Sequence, residues 1–184
     1  MGARVVFLVG FMASGKSTVG RELARRLGWE FVDLDTRIES RERQGIPEIF
    51  RDRGEPGFRA AETLALAELT QSLERNSVVA LGGGTFAFVR NQNLVRPWPS
   101  VFLETPLQEL WQRSLDDATK RPLQKNTFGE FADLYYQRLP FYHQATATVD
   151  TSGKDPAAIC AAIEVALQLG PVQANCSSES GGSR

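Results

Sequence analysis

The sequence predicts an α/β domain built on a parallel sheet, and three observations carry that prediction. Short β-prone apolar runs alternate with segments whose apolar residues recur at helical spacing. The apolar runs are continuous rather than alternating, the pattern of strands covered on both faces. A glycine-rich segment joins the first run to the first helical segment, as in a strand that feeds a right-handed crossover.

Residues 4–9 (RVVFLV) read as the first strand, ending at Gly10. From Lys16, the positions Val19, Leu23, Ala24 and Leu27 mark a helix, which Gly28 closes. Residues 30–34 (EFVDL) read as a second strand with acidic residues at its end. From Asp35 to about Arg75 the pattern is helical, broken near residues 45–47 and again by GEPG at 54–57. Residues 77–81 (SVVAL) form a third strand that runs into three glycines. Residues 100–104 (SVFLE) form a fourth, after a loop containing Pro97 and Pro99. Helical runs interrupted by a basic loop fill residues 108–142, a last strand is expected near residues 145–149, and a helix over 156–169 begins at a proline. The Ser- and Gly-rich stretch 171–184 reads as a disordered tail, leaving 1–170 as one domain.

At 184 residues the chain fits one domain whose core needs no staples. Its 42% apolar and 23% charged residues are globular composition, and no apolar run approaches the length of a bilayer span. The apolar start leads into a glycine-rich loop rather than a cleavage site, so it reads as a buried strand and not a signal peptide. Cys160 and Cys176 are too few for a disulfide framework and have no metal-ligand spacing, which makes a reducing cytoplasm the default. A net charge of −1 gives no general attraction to nucleic acid or anionic lipid, so any anion must be held by a local site.

The sequence supplies such a site. Residues 10–17 (GFMASGKS) match GxxxxGK[ST] between a predicted strand and a predicted helix. Glycines let backbone N–H groups turn toward phosphates at the positive end of the helix, Lys16 reaches the β- and γ-phosphates, and the Ser17 hydroxyl is a ligand for Mg²⁺. Asp33 and Asp35 follow the second strand, at the sheet edge where open α/β sheets bind ligands. They fit one carboxylate near a metal and one near an acceptor hydroxyl, or equally an Asp-decorated helix start with Asp35 as its cap. Arg59 and Glu62 lie three apart, so on a helix they can pair and present a fixed guanidinium to a carboxylate; a surface salt bridge is the alternative. Residues 82–84 are glycines that let backbone approach a ligand, or make a loose turn. Lys120, Arg121 and Pro122 form a basic segment that fits a closing loop or a solvated one.

Taken in order, these segments resemble the shikimate kinase family over residues 4–169. The pieces are GFMASGKSTVG, DLD at 33–35, GEPGFRAAE around Arg59, LGGG at 81–84, KRPL at 120–123 and QRLPFY at 137–142. The resemblance implies a three-layer P-loop kinase fold with a five-stranded parallel sheet, a helical substrate-binding segment at about 35–62 and a lid at about 114–127. It implies ATP as co-substrate with Mg²⁺, shikimate as the acceptor, and a cytoplasmic monomer that binds neither nucleic acid nor membrane. Gly10, Ala13, Ser14, Gly15, Lys16, Ser17, Thr18 and Arg121 would hold the nucleotide, with Arg113 and Pro156 bordering the adenine. Ser17 and Asp33 would hold the metal. Asp35, Arg59, Gly82, Gly83, Gly84 and Arg138 would hold the acceptor, with Phe50 and Phe58 as apolar walls, and Lys16, Asp35 and Arg121 would be catalytic. Ala13 stands where the family often has glycine, a change tolerated if the local φ is negative. Gly57 stands where a bulkier residue is usual, which implies a looser helix start. Another P-loop kinase of a small polyol or sugar acid, such as gluconate, and a nucleotide-binding module without activity are the alternatives. The presence of Lys16, Asp33, Asp35 and Arg121 speaks against the module.

Overall fold

The apolar runs form strands β1 (Val5–Val9), β2 (Glu30–Asp33), β3 (Ser77–Ala80), β4 (Ser100–Glu104) and β5 (Ala147–Asp150). They pair in parallel in the order β2-β3-β1-β4-β5. The computed structural model describes residues 4–117 and 127–169. Lys120, Arg121, Pro122, Cys176 and the predicted tail lie outside the described residues.

The helices are α1 (Lys16–Leu27), α2 (Leu34–Glu42), α3 (Ile46–Gln71), α4 (Val89–Val95), α5 (Leu107–Asp117), α6 (Phe128–Tyr142) and α7 (Pro156–Ala166). Side chains alternate along a strand, so the central β1 feeds two cores. Val5, Phe7 and Val9 join Val79 and Phe102 beneath Leu66 of α3 and Tyr142 of α6. Val6 and Leu8 join Val78, Val101 and Val149 beneath Leu23 of α1 and Ile163 of α7. Phe7 and Leu8 are fully buried, each contributing about 1.5–3 kcal/mol over an exposed position. Helices therefore cover both faces, and every strand points its carboxyl end to one edge.

Local chemistry explains most of the boundaries. α1 ends at Gly28, whose φ of 66° lets its N–H reach the carbonyls of Ala24 and Arg25. The second strand is one residue shorter than expected, because Asp33 caps α2 by accepting from the Asp35 N–H at 3.1 Å. The break expected over 54–57 reduces to Gly54 alone, at φ 66° and ψ −176°, and α3 resumes through Pro56. That kink brings Arg53 against Gly57, where a Cβ would lie 2.3 Å from the Arg53 Cβ. Gly57 is thus a packing requirement of the kink rather than a loosening.

Tertiary contacts set the remaining differences. α4 occupies a stretch read as loop; its buried Asn91 donates to the Thr85 carbonyl at 3.0 Å, in a 3₁₀ turn at Thr85–Ala87. β5 begins two residues later than expected, in register with β4 through Val101 and Ala147. α7 ends at Ala166 rather than at 169, with Gln168 at φ 52° just beyond it.

Candidate active site

The phosphate loop occupies the carboxyl end of β1, at the centre of the sheet. Gly10 has a φ of 155°, and a Cβ there would lie 2.8 Å from Ser14 Oγ and 3.1 Å from the Leu103 carbonyl. Gly15 caps α1 at φ 83°, with no side-chain cap and no acidic residue in the first turn. α2, α6 and α7 instead start on Asp33, Thr127 and Asp155, whose side chains accept from the helix. An uncapped positive helix end is where phosphate binds best. The Lys16 ammonium lies folded into the loop, donating to the carbonyls of Gly10 at 2.9 Å and Phe11 at 2.7 Å. Ala13 departs from expectation: its φ is 62°, not negative. The left-handed turn at this position explains why glycine is favoured there.

Beside the loop, Ser17 Oγ donates to Asp33 Oδ2 at 2.6 Å. The strand does not continue to Asp35, so the two aspartates do not share a strand face. Asp33, not Asp35, is the cap, and Asp35 sits in the first turn of α2.

The three glycines after β3 are where the other parts meet. A Cβ on Gly82 would lie 2.9 Å from Asp35 Oδ1, and one on Gly83 would lie 3.0 Å from the Met12 backbone nitrogen in the phosphate loop. A Cβ on Gly84 would lie 2.7 Å from Arg59 Nη2 and 2.8 Å from Nη1. Each missing side chain thus admits a different neighbour: a carboxylate, the phosphate loop and a guanidinium. The loose-turn alternative does not survive this packing.

Both arginines are held at adjacent glycines. Arg59 Nη1 donates to Glu62 Oε2 at 3.0 Å, and Glu62 is 1% exposed, so this is no surface salt bridge. Glu62 also accepts from Thr85 Oγ1 at 2.6 Å. Thr85 is tied through its carbonyl to Asn91, whose Oδ1 accepts from Thr63 Oγ1 at 2.9 Å. A buried carboxylate needs such partners. Arg138, from α6, donates to the Gly83 carbonyl at 3.4 Å, with its guanidinium 5.8 Å from the Phe11 ring centre. The Tyr142 hydroxyl donates to the same carbonyl. Burial pushes the Tyr142 phenol up to about 12, against the opposing charge of Arg138, so it stays a donor at working pH. Phe58 stacks on Phe50 with ring centres 4.5 Å apart.

Two cations beside a carboxylate and a phosphate loop make a receptor for a small anion next to a nucleotide. The shikimate kinase family model matches residues 12–168. The chain belongs to the shikimate kinase family. A shikimate kinase of Persephonella marina is 41% identical over 154 residues, spanning 83% of this chain and 92% of the relative. One of Moorella thermoacetica is 42% identical over 171 residues, spanning 89% and 94%. Among solved structures, the Acinetobacter baumannii shikimate kinase in complex with shikimate superposes with a TM-score of 0.82 at 36% identity, covering 90% of this chain and 94% of that one.

Lys16, Ser17, Asp33, Asp35, Arg59, Gly82 to Gly84 and Arg138 therefore gather at one edge of a shikimate kinase fold. Arg113 instead pairs with Glu109 at 2.8 Å on the surface of α5, and Pro156 opens α7. Sequence reasoning missed Thr85, Asn91, Phe88 and Tyr142. Only Tyr142 lay within a quoted motif, and nothing in its spacing announced a bond to Gly83.

Proposed function

We propose that the chain transfers the γ-phosphoryl group of ATP to the 3-hydroxyl of shikimate, giving shikimate 3-phosphate and ADP. The convergence of Arg59 and Arg138 on Gly84 and Gly83, beside Asp35 at Gly82 and the phosphate loop at Gly83, carries this reading. Two guanidiniums from different helices can grip both oxygens of a carboxylate on a rigid ring. A polyol or a neutral sugar offers them no partner.

In this reading the acceptor carboxylate is bound by Arg59 and Arg138, with backbone from Gly82 to Gly84, and Phe50 and Phe58 form the apolar wall. Asp35 orients the 3-hydroxyl and takes its proton as the oxygen bonds to the γ-phosphorus. The bond from that phosphorus to the β–γ bridging oxygen breaks, and its electron pair leaves on ADP. Lys16 leaves the loop carbonyls for the phosphates, while Gly10, Ala13, Ser14, Gly15, Ser17 and Thr18 surround them. Catalysis is then mostly positioning and charge stabilisation. The resemblance assigns Arg121 to the transferring phosphoryl group and Pro156 to the adenine border.

Mg²⁺ fits the donors present. Ser17 and Asp33 set a hydroxyl and a carboxylate side by side at the start of α1, and this ion takes few protein ligands beside water and phosphate oxygens. Bound there, it would neutralise phosphate charge. The family reading also makes the chain a cytoplasmic monomer. No helix among the described residues is long and apolar enough to cross a membrane.

A coupled ADP-release assay with ATP and Mg²⁺ tests the reading, with shikimate, gluconate and quinate offered in parallel to an acceptor-free control. Turnover confined to shikimate is expected. Turnover on gluconate instead, or equal release without acceptor, would sink it.

A further inference from the structure

Arg59 is held on its edges by carboxylates and on its faces by aromatic rings, and these two kinds of contact differ in what a ligand can displace. Glu62 takes Nη1, while Glu55 Oε1 accepts from Nε at 3.3 Å and from Nη2 at 3.1 Å. The Glu55 side chain is 62% exposed, so its hold is weak and an incoming carboxylate can replace it. The ring contacts use the guanidinium face and leave the N–H edges to other partners. One ring is Phe58, the preceding residue, with the guanidinium carbon 5.1 Å from its centre. The other is Phe88, at 5.2 Å, which comes from the opposite side of the glycine triad, where it precedes α4.

Phe88 is 42% exposed, so core packing does not account for a large apolar ring there. Its φ of −111° and ψ of 122° place it in extended backbone at the start of α4, anchored by the Asn91 N–H bonding to its carbonyl at 2.9 Å. Gly84 beneath the guanidinium and Phe88 against it belong to the same short segment, so that segment fixes Arg59 from outside its own helix.

We infer that Phe88 is a positioning residue for acceptor recognition, setting the plane of the Arg59 guanidinium so that its free edge faces the substrate carboxylate. The inference rests on the carboxylate-receptor reading of Arg59. Arg59 alone could swing with its long side chain, and the ring removes that freedom before the ligand arrives.

Steady-state kinetics with shikimate and with its neutral carboxamide test it on Phe88→Ala, Phe88→Leu and Phe88→Tyr. Phe88→Ala should raise the shikimate KM about tenfold, equivalent to about 1.4 kcal/mol, with the ATP KM and kcat near wild type. The carboxamide KM should hardly move. Phe88→Leu, which keeps apolar bulk without a ring, should resemble Phe88→Ala, and Phe88→Tyr should resemble wild type. A shikimate KM within twofold of wild type for Phe88→Ala or Phe88→Leu would overturn the inference, as would an equal rise for the carboxamide. Absence of shikimate turnover in the wild type would instead overturn the functional reading, and this inference with it.

Discussion

The phosphate loop and the acceptor pocket touch at Gly83 but are held together in opposite ways. The loop is nearly self-contained: Lys16 bonds to carbonyls five and six residues before it, and the glycine conformations arise within the same turn. The acceptor pocket has no such unity. Asp35 comes from α2, Arg59 from α3, the glycines from the end of β3 and Arg138 from α6, and each is placed by a partner in another element. A short loop can keep its geometry through its own backbone, whereas a pocket for a rigid ring must draw donors from several directions. The second design is exposed to packing changes far from the reacting atoms.

Removing the charge of the loop tests the first half most severely. Lys16→Met should lower turnover by roughly a thousandfold or more, since a cation on the transferring phosphate is lost where it counts most. The fold should persist, because the ammonium bonds only within its own loop. Turnover within tenfold of wild type, alongside an unchanged unfolding midpoint, would show that the loop does not use this lysine on the phosphates.

A single methyl group tests the other half. Gly84→Ala sets a Cβ on the Arg59 guanidinium, which is the far end of a flexible side chain and can move. Stability should change little, but the shikimate KM should rise by about 1–3 kcal/mol in binding terms, with the ATP KM unchanged. If shikimate KM is unaffected, Arg59 is not held in its binding position by the glycine segment.

The same contrast explains what could be read in advance. The phosphate loop lies in eight consecutive residues flanked by a strand and a helix, so its chemistry was legible from order alone. The sheet was legible because its strands are continuous apolar runs. The functional residues Asp35, Arg59 and Arg138 were named through resemblance to a family, since no spacing rule connects residues so far apart in the chain. Thr85, Asn91 and Phe88 escaped because their roles depend on α4, whose seven residues follow no strong helical period and precede two prolines. The one local expectation that failed, a negative φ at Ala13, failed because the loop's curvature is set by phosphate geometry rather than by the residue's own preference.

Ala13 gives the smallest effect and the sharpest contrast with Gly84, because here a methyl group is removed. In the left-handed region a Cβ costs about 1–2 kcal/mol. Glycine gives back about 0.5–1 kcal/mol of that through its greater freedom in the unfolded chain. Ala13→Gly should therefore stabilise the protein by about 0.5 kcal/mol, a shift of about 1–2 °C in a chain of this size. ATP affinity should stay the same, since the loop already holds the required conformation. A destabilised Ala13→Gly variant would mean that Ala13 is not held in the left-handed turn in solution. A gain in ATP affinity would show that the loop reaches its shape only on binding, and the self-contained half of the site would then be no more pre-formed than the assembled one.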